Sequence, residues 1–169
     1  KIQSCDSSAT SIPAENLTFG TVTQEACFNK CQCIFQDDIN LLECTDPSIT
    51  SQVIDFSSKE AWDHVNFIGS SIRELKEFKN LSLKPRGTIR VSGIESFDDD
   101  LFQSTNYIGK LGLYIENSST ESLKVKAPFR NTSFSELDIN DSVLGQYITI
   151  TTFIDSNVDI LSIRNPKKD

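Results

Sequence analysis

The sequence lacks several features that would point directly to a known class of protein. It has no methionine, one tryptophan and one histidine among 169 residues. No apolar run approaches the roughly 20 residues that a membrane-spanning helix needs, so no membrane insertion is expected. Only 16 lysines and arginines stand against 24 acidic residues; the net charge of −8 argues against binding nucleic acid. Because methionine is absent and Lys1 begins no signal peptide, the chain is expected to be a processed mature protein or a fragment.

Catalytic motifs are missing as well. The patterns G-x-S-x-G, H-E-x-x-H, the P-loop and G-x-G-x-x-G do not occur. The single histidine, His64, has no nearby histidine or cysteine with which to bind a metal, and it is expected on the surface. The acidic run Asp98–Asp100 lacks the ligand spacing of a calcium loop and is expected to form a solvated turn that starts a helix before Leu101. The sequence therefore predicts no enzyme, no metal site and no cofactor.

Cysteines and glycosylation sequons indicate the compartment. The five cysteines all lie in the first 44 residues: Cys5, Cys27, Cys31, Cys33 and Cys44. A Cys-x-Cys pair is unusual for zinc, so disulfides are favoured. Five N-x-[ST] sequons occur, of which about two or three would arise by chance; they are at Asn16, Asn80, Asn117, Asn131 and Asn140. Together with the acidic composition, these features predict a secreted protein or the ectodomain of a surface protein.

The odd number of cysteines leaves one thiol over. If the other four pair among themselves, Cys5 is unmatched in a Ser/Thr-rich leader, residues 1–26. Three alternatives remain open for Cys5: a disulfide to a partner chain, a free thiol, or a cysteine whose partner was lost by truncation.

An internal repeat is the strongest signal in the sequence. Five triplets have the form apolar-x-apolar, with first members 24, 22, 26 and 24 residues apart: Val65–Phe67, Ile89–Val91, Leu111–Leu113, Leu137–Ile139 and Leu161–Ile163. Three positions upstream of each stand Trp62, Arg86, Ile108, Phe134 and Val158. Each triplet reads as a short strand whose alternate side chains point inward. The spacing leaves enough chain to return and lay the next strand parallel to the last.

The segments between the triplets carry a second apolar series. A phenylalanine recurs there, at Phe78, Phe102, Phe129 and Phe153. With Ile72, Leu75, Leu101, Leu123 and Ile148 these residues are expected to line the return side of a two-walled core. The alternative is an antiparallel β-sandwich with strands every 8–12 residues, but a sandwich does not require phenylalanine to recur at one phase.

The repeated apolar-x-x-L-x-L pattern resembles the extracellular leucine-rich repeat family, and residues 27–44 resemble its cysteine cap. This resemblance implies a mostly β solenoid of the α/β type, a right-handed arc with short parallel strands on its concave face. It also implies disulfides Cys27–Cys33 and Cys31–Cys44 in a cap of residues 27–61. About five repeats would follow, over residues 62–169.

The chain also departs from that family. The usual asparagine after each strand is replaced, by Ser70, Ile94, Glu116, Ser142 and Pro166. No cysteine follows Cys44, so the cysteine cap common at the C-terminal end of the family is missing. The last triplet is expected to leave an open parallel edge. Further repeats, a partner, or Pro166 and the two lysines after it would then protect this edge.

The residues that alternate outward from the triplets form the predicted binding surface. Those expected to contact a partner are His64, Asn66, Arg90, Lys110, Tyr114, Glu136, Asp138 and Arg164. Tyrosine is enriched in protein interfaces, and Tyr114 is expected near the centre of the concave face. A glycan on Asn140 would obstruct that face. The predicted function is binding of another extracellular protein without catalysis, and the alternative is a non-catalytic subunit or regulator of a secreted enzyme.

Overall fold

The computed structural model describes residues 23–26, 31–50, 52–56, 60–99, 101–118, 127–140 and 150–164. A single 3-10 helix, Ile150–Phe153, is the only helix among them, and none of them forms an apolar helix long enough to cross a membrane. The strands are β1 Thr23–Ala26, β2 Gln32–Gln36, β3 Ile39–Glu43, β4 Val53–Asp55, β5 Trp62–Phe67, β6 Glu74–Leu75, β7 Glu77–Lys79, β8 Ser82–Ser92, β9 Ser96–Phe97, β10 Asn106–Tyr107, β11 Leu111–Glu116, β12 Ser133–Asn140 and β13 Asn157–Arg164.

These strands wind into a β-solenoid of about four turns. The main sheet has the order β1-β2-β3-β5-β8-β11-β12-β13, with β10 added beside β8. Its first three strands are antiparallel, and every pair from β3 to β13 is parallel. Parallel stacking of successive strands is thus confirmed, and the alternative of an antiparallel sandwich is wrong. The α content that the α/β type implies is not seen in the described return segments, where β4 pairs with β7, and β6 with β9.

One core position recurs every 24 residues in the sheet, at Val65, Ile89, Leu113, Leu137 and Leu161. The predicted third triplet, Leu111–Leu113, is therefore wrong by two residues, and Leu113–Ile115 is the triplet in register. Leu111 misleads because it is buried as well, opposite Phe134, before the register shifts. Ile108, the apolar residue three positions upstream of the predicted triplet, is 72% exposed.

The upstream position in β8 is also corrected. Trp62 of β5 pairs with Leu83 of β8. From His64 onward, the partners in β8 lie three residues further along the chain than this first pair would place them. Leu83, and not Arg86, therefore fills the core upstream of the β8 triplet. Arg86 is exposed and has a φ of 64°, in the left-handed region. A Cβ on Gly87 would lie 2.9 Å from the backbone oxygen of Lys84. The bulge therefore needs glycine at this position.

The core lies between the main sheet and the return segments, as expected. Phe78, Phe102 and Phe129 are buried on the return side, and Phe153 is partly buried. Their rings form a continuous series with those of the sheet; for example, the centroid of Phe78 is 5.8 Å from that of Phe67. Ile72, Leu75 and Leu101 are buried too, whereas Leu123 and Ile148 lie outside the described residues.

The turns after the strands explain how the chain manages without the family's asparagine. Ser118 is buried; its hydroxyl accepts a hydrogen bond from the Ile94 N–H at 3.1 Å and donates one to the Glu116 carbonyl at 2.9 Å. With the third triplet at Leu113–Ile115, the position of the family's asparagine falls on Ser118. The misplaced triplet had assigned that position to Glu116. Gly69, Gly93 and Asn117 start these turns with left-handed backbone, at φ of 86°, 71° and 46°. Glycine and asparagine adopt that conformation at little cost, which accounts for the residue types.

The N-terminal end of the solenoid is closed by the antiparallel strands. The disulfide Cys31–Cys44 is formed, as the resemblance implied. Cys33 is also disulfide-bonded, while Cys27, its implied partner, lies outside the described residues. Strand β1 occupies the end of the segment predicted as a leader, and Cys5 and Asn16 lie outside the description.

The acidic segment around Asp99 does not start a helix as expected. Residues 101–104 form turns, and the Asp99 carboxylate accepts a hydrogen bond of 2.6 Å from the Ala127 N–H in the next coil. The Asp99 carboxylate therefore links two return segments, where the start of a helix was predicted. Asp100 lies outside the described residues.

Candidate functional site

The candidate site is the open face of the main sheet, defined as the side that points away from the core. Two cross-strand rows cross it from β5 to β13, and a shorter third row runs from β8 to β13. The first row is His64, Thr88, Gly112, Glu136 and Ile160; the second is Asn66, Arg90, Tyr114, Asp138 and Ser162; the third is Ser92, Glu116, Asn140 and Arg164. Because all strands share one register, each row holds its side chains about 4.8 Å apart.

Seven of the eight residues predicted to contact a partner lie in these rows. Lys110 does not; it precedes β11, and its ammonium is ion-paired with Asp159 of β13. Sequence reasoning missed Glu116, because the third triplet was placed two residues early. Holding the spacing at 24 residues throughout would have found this residue.

Tyr114 is held in place by its neighbours on the open face. Its hydroxyl donates a 2.9 Å hydrogen bond to Glu136 Oε2, and the Arg90 guanidinium lies 4.9 Å from the ring centroid. Gly112 makes room for the ring, since a Cβ there would lie 3.3 Å from Cε2 of Tyr114. Partial burial, the hydrogen bond to Glu136 and the charge of that carboxylate raise the pKa of Tyr114 above 10.0, against the opposing effect of Arg90. The phenol is therefore neutral at physiological pH.

Asp138 is the most buried charged residue of the open face. It is 9% exposed, and its Oδ2 accepts a 2.8 Å hydrogen bond from Arg164. Its other oxygen, Oδ1, is buried without a hydrogen-bond partner. A buried carboxylate oxygen without a donor is costly, so Asp138 destabilises this part of the sheet unless Arg164 compensates its charge.

A shallow depression lies beside Tyr114 on the open face. It has a volume of about 400 Å³ and is lined by Leu41, His64, Asn66, Ile68, Thr88, Arg90 and Tyr114. His64 is exposed, as expected, and its Nδ1 shares a 2.8 Å hydrogen bond with the Thr88 hydroxyl. The lining combines apolar side chains, an aromatic ring and an arginine, which is the composition typical of an interface centre.

Asp63 connects the first coil to the antiparallel cap. Its Oδ2 accepts hydrogen bonds from the Asn40 N–H at 2.7 Å and from the Lys84 ammonium at 2.8 Å. Burial raises the pKa of this carboxyl, but the Asn40 N–H and the Lys84 charge outweigh it, and the pKa lies below its ordinary value of 3.8. A lowered folded-state pKa means that the carboxylate stabilises the fold above about pH 3.8, and that this contribution is lost as the pH falls through the folded-state pKa.

Replacing Asp63 by asparagine is therefore expected to lower the free energy of unfolding by about 1 kcal/mol at pH 7, and the difference should shrink as the pH falls below 3.8 through the lowered folded-state pKa. Urea unfolding of both proteins over this pH range measures it. Asp55→Asn is the control, since Asp55 is half exposed and 3.8 Å from Lys79. It should change stability by less than about 0.5 kcal/mol. A difference for Asp63→Asn that does not shrink as the pH is lowered from 7 into the acid range below 3.8 would contradict the electrostatic explanation.

Three of the predicted glycosylation sites are exposed turn residues. Asn80, Asn117 and Asn131 have left-handed backbone, with φ of 58°, 46° and 52°. The Asn80 amide donates a 2.8 Å hydrogen bond to Asp55. Asn140 is half-buried at the end of β12, on the open face. Glycosylation of these residues stays a prediction.

Among the described residues, no three histidine, cysteine or acidic side chains are grouped so that they could hold a metal ion. Comparison with protein families, with curated proteins and with solved structures gives no match to the chain.

Proposed function

We propose that this chain is a secreted or cell-surface module of the leucine-rich repeat kind that binds another protein through its open face. The observation that carries the proposal is the depression beside Tyr114. There an aromatic ring, fixed by Glu136 and Arg90, borders a mixed apolar and polar floor. The disulfide Cys31–Cys44 supports an oxidising, extracellular setting.

Rigid presentation is the proposed mechanism. One parallel sheet holds side chains from five strands, so little backbone or side-chain entropy is lost when a partner docks. Tyr114 in particular is already fixed on both sides before binding. A fixed tyrosine at the centre of an interface contributes a large contact area at little entropic cost.

The depression indicates what the partner brings. Its lining combines the apolar side chains Leu41 and Ile68 with the ring of Tyr114 and the guanidinium of Arg90. The proposed partner therefore presents an apolar or aromatic group that fills the depression.

The test compares two variants immobilised beside the unchanged protein. Arg90→Glu combined with Tyr114→Ser changes the open face, and Arg73→Glu makes the same charge reversal in a return segment, where Arg73 is exposed and paired with Glu95. Proteins captured from extracellular fluid of the source are identified by mass spectrometry, and their affinities are measured. A genuine partner is expected to bind the unchanged protein and Arg73→Glu alike, and the open-face variant at least about tenfold more weakly.

Equal affinity for all three proteins would move the binding site away from the open face. Capture of an enzyme as the open-face-dependent species would favour the alternative role, that of a non-catalytic subunit or regulator. Circular dichroism of both variants should match that of the unchanged protein, because Arg90 and Arg73 are exposed and Tyr114 is half-buried.

A further inference from the structure

Charge is divided unevenly over the open face. The acidic residues of the three rows all lie in β11 and β12: Glu116, Glu136 and Asp138. The described residues that line the depression include His64 and Arg90 but no carboxylate. Because the whole chain has a net charge of −8, a depression with only basic ionisable side chains besides tyrosine is a local exception. A surface of this sign favours an acidic group on the partner.

Arg90 supplies the main contact for such a group. Its guanidinium lies 4.9 Å from the centroid of the Tyr114 ring and 3.9 Å from a carboxylate oxygen of Glu116. The second distance is too long for a hydrogen bond, and the guanidinium makes none within the described part of the chain. A planar guanidinium held in this way can bind a carboxylate through two parallel N–H···O hydrogen bonds.

His64 is the second basic residue of the lining. Its Nδ1 shares a 2.8 Å hydrogen bond with the Thr88 hydroxyl, and Nε2 has no hydrogen-bond partner among the described residues. His64 is in register with Thr88, so Arg90 is its diagonal neighbour in β8. The strand spacing and the rise per residue put the two Cα atoms about 8 Å apart. Both side chains can therefore reach one carboxylate that lies between them.

Two other carboxylates lie near the depression without lining it. Asp63 precedes His64, but it is ion-paired with the Lys84 ammonium at 2.8 Å. Glu43 is half-buried in β3, in register with Asn66. Since neither is part of the lining, the basic side chains there are left for a carboxylate that a partner brings.

We infer, on the basis of the proposed function, that the depression binds an acidic side chain adjacent to an aromatic residue in an exposed segment of the partner protein. The carboxylate contacts Arg90 and His64. The aromatic ring packs against the half-buried apolar part of the lining, which consists of Leu41, Ile68 and the ring of Tyr114. The depression is shallow and lies on an open sheet face, so a segment can cross it without ending there.

His64 reports this binding directly, because it is the only histidine of the chain and its ring protons give one set of NMR signals. At constant pH, the unchanged protein is titrated with N-acetyl-aspartyl-phenylalanine amide and with the matched N-acetyl-asparaginyl-phenylalanine amide. The aspartyl peptide is expected to shift the His64 signals saturably, with a Kd on the order of 1 mM. Its affinity should exceed that of the asparaginyl peptide at least about fivefold.

Two variants complete the experiment. Arg90→Gln should reduce the preference for the aspartyl peptide to within about twofold. Arg73→Gln makes the same change in a return segment, where Arg73 is exposed and paired with Glu95, and should leave the preference intact. Equal affinity for the two peptides, a preference that survives Arg90→Gln, or no saturable shift up to about 20 mM would overturn the inference.

The proposed function fails separately, if no protein captured from extracellular fluid depends on the open face. A captured partner that depends on the open face, together with equal affinities for the two peptides, would overturn only the inference about the acidic group.

Discussion

Replacing Leu137 by aspartate is expected to lower the free energy of unfolding by more than about 4 kcal/mol, enough to unfold most of the protein at 37 °C. Leu137 is fully buried and lies in register between Leu113 and Leu161, in the layer that every coil shares. A carboxylate there would have no cation and no donor within the layer.

Urea unfolding followed by tryptophan fluorescence measures this effect, because the single tryptophan, Trp62, is fully buried in the first coil. The matched control is Ile108→Asp, which places the same charge on a 72% exposed side chain and should change stability by less than about 0.5 kcal/mol. Similar stability for the two variants would show that the sheet positions are not core.

The second large effect is expected from Phe129→Ala, which tests the opposite wall of the core. The Phe129 ring contacts the rings of Phe97, Phe134 and Phe153, with centroids 5.9, 5.9 and 6.0 Å away. Its removal leaves a cavity that the neighbouring coils cannot close, because the sheet fixes their spacing. A loss of about 3 to 5 kcal/mol is expected.

Ile154→Ala is the control for the phenylalanine variant, since Ile154 lies in the next return segment, between β12 and β13, but is 43% exposed. A loss below about 1 kcal/mol is expected for this control. If Phe129→Ala lowered the free energy of unfolding no more than Ile154→Ala does, the phenylalanine rings of the return segments would not stabilise the core. The main sheet alone would then account for the stability of the fold.

The sequence was sufficient to predict parallel stacking, because the fold repeats one simple burial pattern. The prediction of the third triplet failed because the local apolar pattern allows two registers. Leu111, Leu113 and Ile115 are three alternating apolar residues, so two overlapping triplets satisfy the rule, and only the hydrogen-bonded register chooses between them. Glu116 was lost from the predicted face as a direct consequence.

Other features were not visible without coordinates. The bulge in β8 depends on Arg86 adopting a left-handed backbone, which this residue type gives no reason to expect. The hydrogen bond from the Ala127 N–H to Asp99 joins residues 28 apart, and local propensity favoured a helix cap at that acid. Likewise, the buried, unpartnered oxygen of Asp138 arises from packing by neighbouring coils.

The constant 24-residue register has an evolutionary consequence. One residue inserted into or deleted from a strand would move every later side chain of that strand to the opposite face, exchanging core for solvent. The return segments are more tolerant: Phe102 and Phe129 are three residues further apart than the strand spacing, yet Leu113 and Leu137 remain in register. Homologous chains should therefore differ in length between the strands, while the strands themselves gain or lose no residues.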